Sequence, residues 1–237
     1  MRRALHKYVL IAVALSCSRD KSVARDTAYA EASARNAPSV AVPTTDHQPP
    51  TTAGLKTVLF IGTSLTAGYG LDPDSAYPQQ VGRMIDSAGL AYEVVNAGVS
   101  GETSSALLRR LDWLLRQPFA VVVIETGAND GLRGIPVETM RNNVQQILDR
   151  IRMARPDARI ALVQMESPPN LGAAYTREFR KVFPDLSKAN GTVLLPFLLE
   201  NVAGNRELNQ ADGIHPNYDG ERIVARNVWK GLRPLLQ

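Results

Sequence analysis

One histidine limits the acid–base chemistry open to most of this chain. Of three in 237 residues, His6 and His47 fall in an N-terminal stretch with the composition of a leader and a linker, leaving His215 for everything downstream. It stands in Ala211-Asp212-Gly213-Ile214-His215-Pro216-Asn217, a polar, turn-rich segment just ahead of a final amphipathic stretch. Asp212, three residues earlier, is spaced so that a curled loop can bring its carboxylate to one imidazole nitrogen and leave the other free for proton transfer. A surface histidine beside a turn-forming aspartate is the alternative reading of this pair alone.

A base of this kind needs a nucleophile, and Ser64 is the candidate. In Phe60-Ile61-Gly62-Thr63-Ser64-Leu65-Thr66-Ala67-Gly68-Tyr69-Gly70 an apolar run stops at a small-residue turn, and the serine appears where a helix should begin. Serine is a poor nucleophile until a base accepts its proton, and the base works best when a third group fixes its tautomer. The glycines also allow a phosphate cradle, but the lysine of such a loop is missing. Two further segments end apolar runs in the same manner: Val95 to Ser104, containing Gly98, and Glu125 to Gly131, containing Asn129. A glycine N–H and an asparagine amide are the donors that a developing oxyanion needs. Read singly, Gly98 could equally be a packing glycine and Asn129 a helix cap.

The elements that must position these residues follow from periodicity. Apolar runs at Val58 to Ile61, Tyr92 to Val95, Ala120 to Ile124, Ile160 to Met165 and Thr192 to Leu195 have the character of buried strands. Helical spacing lies between them at Pro78 to Ala88, Ser104 to Arg116, Pro136 to Ala154 and Ala173 to Ala189, with a last helix over Asp219 to Leu235. Such alternation predicts a parallel sheet covered by helices on both faces. Ser64, Gly98 and Asn129 would then share the C-terminal edge of that sheet, where α/β proteins hold their ligands.

Taken together, Gly62-Thr63-Ser64-Leu65, the Gly98 block, Gly127-Ala128-Asn129-Asp130 and Asp212-Gly213-Ile214-His215-Pro216 resemble the four ordered blocks of the SGNH (GDSL-type) hydrolases. The resemblance covers residues 55–237 and is nearest to the acyl-CoA thioesterase I, lysophospholipase and arylesterase branch, through the run at 127–134 and Leu-Leu-Pro-Phe at 194–197. It implies a three-layer α/β/α flavodoxin-like fold with a five-stranded parallel sheet of order 2-1-3-4-5. It also implies Ser64 as nucleophile, His215 as base, Asp212 as its orienting partner, and an oxyanion hole from the Ser64 and Gly98 N–H groups and the Asn129 side chain. No metal or cofactor is implied, and the substrate would be a small-molecule ester or thioester. Thr63 departs from the family pattern, which has Asp there. By resemblance, the loop after the fourth strand, Glu166 to Gly172, borders the acyl pocket. Glu125 is expected to be a structural partner of a nearby backbone N–H, and Trp113 and Trp229 to be packing residues. A carbohydrate O-deacetylase and a non-catalytic lipoprotein with a hydrolase-like fold are the competing readings.

Charge and cysteine usage narrow the setting. The net charge of +4 suggests a nucleic-acid binder until it is located: residues 1–54 hold seven Lys/Arg and four Asp/Glu, which leaves +1 on the rest and no basic block to track phosphates. Residues 1–17 pair a basic start with a short apolar run, Tyr8 to Leu15, as in an export signal of a bacterial protein destined for the periplasm. Ala14-Leu15-Ser16-Cys17 resembles a lipobox, so membrane attachment through a lipidated Cys17, the chain's one cysteine, is an expectation. Residues 18–54, rich in Ala, Ser, Thr and Pro, have the composition of a flexible linker, ahead of a single hydrolase domain at 55–237. A monomer is the expected state.

Overall fold

The computed structural model describes residues 54–237, so the readings made on the leader, Cys17 and the linker lie outside the described residues. Five strands form one parallel sheet: β1 (Lys56–Gly62), β2 (Tyr92–Gly98), β3 (Val121–Ile124), β4 (Arg159–Gln164) and β5 (Val193–Phe197). Their order is β2-β1-β3-β4-β5, as the resemblance implied. Helices α1 (Ser64–Ala67), α2 (Tyr77–Ser87), α3 (Ser104–Leu114), α4 (Ala128–Leu132), α5 (Val137–Ala154), α6 (Ala173–Asn190) and α7 (Tyr218–Leu232) connect them. Helix α2 packs with α7 over one face of the sheet, and α3, α5 and α6 adjoin one another over the other.

The central strands are apolar because both faces are covered. All four residues of β3 are fully buried, as are Val58, Phe60 and Ile61 of β1. Each such side chain contributes about 1.5–3 kcal/mol on leaving water. From α5, Met140, Val144, Ile147, Leu148 and Ile151 recur at helical spacing and face this core.

Winding outward from β1 runs first to β2, then back across β1 to β3, so the chain reverses between β1 and β3. That reversal opens a crevice at the C-terminal ends of those two strands. Ser64 follows β1 and Asn129 lies just beyond β3.

Four elements differ from expectation for physical reasons. Strand β2 runs on to Gly98 because it stays in register with β1 to the end, Gly62 opposite Gly98. Helices α1 and α4, at four and five residues, are too short for periodicity to reveal. Helix α7 stops at Leu232, and the chain closes with a 3₁₀ turn at Arg233–Leu236, whose Pro234 has no N–H to continue an α-helix.

Candidate active site

Ser64 sits at a corner built by its neighbours. Thr63 caps α1, its Oγ1 accepting the Leu65 N–H at 3.4 Å, and Gly68 ends the helix in the left-handed region at φ 70°. Beneath the corner lies the buried carboxylate of Glu125. It accepts the Thr63 N–H at 2.7 Å, the Thr63 hydroxyl at 2.9 Å and the Thr66 hydroxyl at 2.9 Å. Because Thr66 spends its proton on Glu125, its oxygen accepts the Tyr77 hydroxyl at 2.9 Å. Burial pushes the Glu125 carboxyl up from its ordinary pKa, and the Thr63 and Thr66 donors pull it back down. Glu125 is thus the backbone partner the sequence suggested, and the Thr63 hydroxyl both caps the helix and binds the acid. No bulkier residue fits at Gly62: a Cβ there would collide with Thr66 Oγ1 and stand 2.6 Å from Glu125 Oε2.

Asp212 and His215 meet as their spacing implied. Asp212 Oδ1 accepts the Ile214 and His215 backbone N–H groups, each at 3.0 Å, which curls the loop around the carboxylate. Its Oδ2 lies 2.7 Å from His215 Nδ1, while His215 Nε2 lies 2.8 Å from Ser64 Oγ. An acceptor-only carboxylate on Nδ1 places the imidazole proton there and leaves the Nε2 lone pair for the serine. The ring N–H of His215 first, and the backbone donors second, hold the Asp212 carboxyl down at about 2.

Two residues that the sequence gave no reason to single out secure this loop. Gln210 Nε2 donates to the carbonyls of Tyr69 at 2.7 Å and Pro216 at 2.9 Å, joining the histidine loop to the segment after Ser64. The Tyr69 ring lies 4.7 Å from the His215 ring, centroid to centroid. Nothing in their type or spacing marks them, because they join segments far apart in sequence, Gln210 meeting Tyr69 across 141 residues.

Of the three groups expected to donate to an oxyanion, one has its N–H already engaged. Ser64 is the first residue of α1, so its N–H has no acceptor within the helix. Asn129, on α4 behind Gly127 at φ 95°, gives one amide hydrogen to the Glu102 carbonyl at 3.0 Å and retains the other. Gly98, in contrast, donates its N–H to Asn96 Oδ1 at 3.0 Å. It is a packing glycine: a Cβ on it would press into the α1 backbone, 2.7 Å from the Thr66 carbonyl carbon and 2.8 Å from Ala67 Cα. Three residues on, Gly101 has φ 76°, and its N–H has no acceptor among the described residues. The turn containing it abuts α4, since Arg133 donates to the Gly101 carbonyl at 2.9 Å and Asn129 to that of Glu102.

Ser64, Asn129 and His215 open into one cleft of about 320 Å³. Its walls are mostly apolar, with Leu65, Leu132, Met165, Pro168, Phe197 and Ile214 among them. The loop after β4 borders the cleft as implied, through Glu166, Ser167, Pro168 and Pro169. Trp229 packs on the core, as expected. Trp113 does not: it is 57% exposed, beside a small groove along β2 and away from the cleft.

Known proteins share this architecture. The sequence profile of the GDSL-like lipase/acylhydrolase family matches residues 60–223. Esterase TesA of Pseudomonas aeruginosa is 37% identical over 185 residues, 78% of this chain and 91% of TesA. The thioesterase 1/protease 1/lysophospholipase L1 of Escherichia coli K12 is also 37% identical, over 78% of this chain and 86% of its own length. Among solved structures, the psychrotrophic esterase EstA from Pseudoalteromonas, in a form inhibited by monoethylphosphonate, superimposes with a TM-score of 0.72 at 34% identity, covering 76% of this chain and 98% of EstA. A family profile matched across more than half of the sequence, together with relatives at 37% identity aligned over nearly their whole length, establishes that the chain belongs to the GDSL-like lipase/acylhydrolase family.

Proposed function

We propose that Ser64 is the nucleophile of an ester- or thioester-hydrolysing enzyme, with His215 as its general base and Asp212 as the group that orients the base. The observation that carries this assignment is the continuous relay from Ser64 Oγ to His215 Nε2 at 2.8 Å and from Nδ1 to Asp212 at 2.7 Å. Ser64 Oγ attacks the acyl carbonyl carbon as His215 Nε2 takes the hydroxyl proton, giving a tetrahedral oxyanion and an imidazolium stabilised by ionised Asp212. Collapse of that intermediate breaks the bond to the alcohol or thiol, which leaves with the proton from Nε2. Water then adds to the acyl-enzyme by the same route, His215 taking its proton and returning one to Ser64 as the acid departs. The Ser64 N–H, the second Asn129 amide hydrogen and the Gly101 N–H supply the oxyanion donors in this scheme, with Gly101 in place of Gly98. The apolar cleft receives the acyl chain. All three relay residues come from one chain, so a monomer suffices.

A panel of p-nitrophenyl esters of increasing chain length, an acyl-CoA and an acetylated sugar tests the reading. Turnover should favour esters whose acyl chain fills the cleft, and Asn129→Ala should lower kcat by about 100-fold or more. Turnover of the acetylated sugar alone would make the enzyme a carbohydrate O-deacetylase, and an unchanged kcat in Asn129→Ala would remove that side chain from the oxyanion hole.

We further infer export, from the basic start and apolar run of residues 1–17, and lipidation at Cys17, from the lipobox-like Ala14-Leu15-Ser16-Cys17. Intact mass of the mature protein made in a bacterial host should show a chain beginning at Cys17 and carrying acyl groups. A mature chain that begins elsewhere, or has an unmodified cysteine, would refute lipidation.

A further inference from the structure

The cleft at Ser64 is mostly apolar. Among the described residues no Lys or Arg lines it, and the one acidic residue that does is Glu166, two residues beyond the end of β4. The Glu166 side chain is 24% exposed. Its cationic partner, Arg180 of α6, approaches to 3.0 Å but is itself 72% exposed and stands outside the cleft lining. An ion pair of that kind is screened by water and binds its members weakly. Burial raises the Glu166 carboxyl from its ordinary pKa, and Arg180 opposes the rise. The acidic member of the pair thus belongs to a residue of the cleft lining, and the basic member to a largely exposed residue outside it. Glu166 shares the cleft lining with Met165, Pro168 and Phe197, and a charge beside apolar walls is felt more strongly by a ligand than the same charge in open water.

We propose that Glu166 sets the charge selectivity of the acyl cleft, admitting acyl chains that are neutral or end in a cation and discriminating against those that end in an anion. The proposal rests on the assignment of Ser64, since the cleft is the acyl site only if Ser64 is the residue acylated. It narrows the substrate class to esters of neutral or basic acids and disfavours half-esters of dicarboxylic acids. Discrimination arises because an anionic terminus would leave water for an apolar wall that offers no cation and one like charge.

Three p-nitrophenyl esters of equal chain length separate charge from size: the hexanoate, the hydrogen adipate and the ω-aminohexanoate. Wild type should show the lowest kcat/KM for the adipate. In Glu166→Gln the adipate-to-hexanoate ratio of kcat/KM should rise by about tenfold and the aminohexanoate-to-hexanoate ratio should fall. Glu166→Asp should keep the wild-type order of the three esters, which a purely structural role for the side chain would not require. Arg180→Gln, by removing the counter-charge, should deepen discrimination against the adipate. Ratios that do not change in Glu166→Gln overturn the proposal, as does a narrower discrimination in Arg180→Gln, which would make the arginine the residue that senses the chain end. Hydrolysis of all three esters at equal rates by wild type overturns the role of Glu166 and leaves that of Ser64 standing. Hydrolysis of none overturns both.

Discussion

At the scale of single residues, Asp212 carries the most specific consequence. Its carboxylate accepts two backbone N–H groups and the imidazole N–H, and these hold its pKa at about 2 against an ordinary 3.8. A folded pKa below the unfolded one means that the ionised form is favoured by folding. The stabilisation is therefore complete above the unfolded value and is lost as pH falls from 3.8 through about 2. Its size is small, because the side chain is 38% exposed and solvent screens it. Unfolding by urea should show wild type losing its advantage over Asp212→Asn across that acid window and not above pH 5; a difference that stays constant with pH would contradict the hydrogen-bond account. The same variant should lower kcat by roughly a thousandfold or more. An asparagine amide would donate to Nδ1, move the imidazole proton to Nε2 and leave no lone pair for the Ser64 hydroxyl.

At the scale of elements, the site depends on how α7 is moored, because the loop bearing His215 runs directly into it. Glu221, in the first turn of α7, is buried and accepts the Tyr77 N–H from the start of α2 at 2.7 Å. Burial raises its carboxyl pKa to about 8 from an ordinary 4.5, with the Tyr77 N–H pulling the other way. Here the sign is reversed: above 4.5 the unfolded chain releases a proton that the folded chain keeps, so this group makes stability decline as pH rises from 4.5 to about 8. Glutamine can still accept the Tyr77 N–H without titrating. Glu221→Gln should thus gain stability relative to wild type progressively across that range, read as a growing difference in urea midpoint; equal differences at both ends would place the ionisation elsewhere. Elements also mark where the sequence stops being informative. The long helices and the strands were legible because their apolar residues repeat at 3.6 or stay continuous, as in Val121–Ile124. The short helices α1 and α4 were not, since each is barely one turn and owes its existence to a tertiary partner. Glu125 fixes Thr63 and Thr66 around α1, and Asp130 of α4 accepts the Ser104 N–H at 2.8 Å from the start of α3.

At the scale of the whole molecule, the fold places residues separated by 151 positions within one hydrogen bond of each other. Ser64, Asp212 and His215 could be singled out from sequence because residues 55–237 hold one histidine and because nucleophilic acyl transfer constrains residue type so tightly. Gly98 shows where such reading fails. Two glycines lie three residues apart in that block, and only the strand register, which carries β2 to Gly98 opposite Gly62 and close against α1, separates the one that packs from the one whose N–H has no acceptor among the described residues. The contribution of Gln210 was equally invisible, because it depends on loops meeting across the sheet edge. What the molecule must do for this account to hold is activate one serine among many. Treatment with a fluorophosphonate followed by peptide mass analysis tests that most directly: a single phosphonyl adduct should appear on the peptide containing Ser64 and be absent in Ser64→Ala, whereas no adduct on wild type, or an adduct that persists in Ser64→Ala, would rule out Ser64 as the nucleophile.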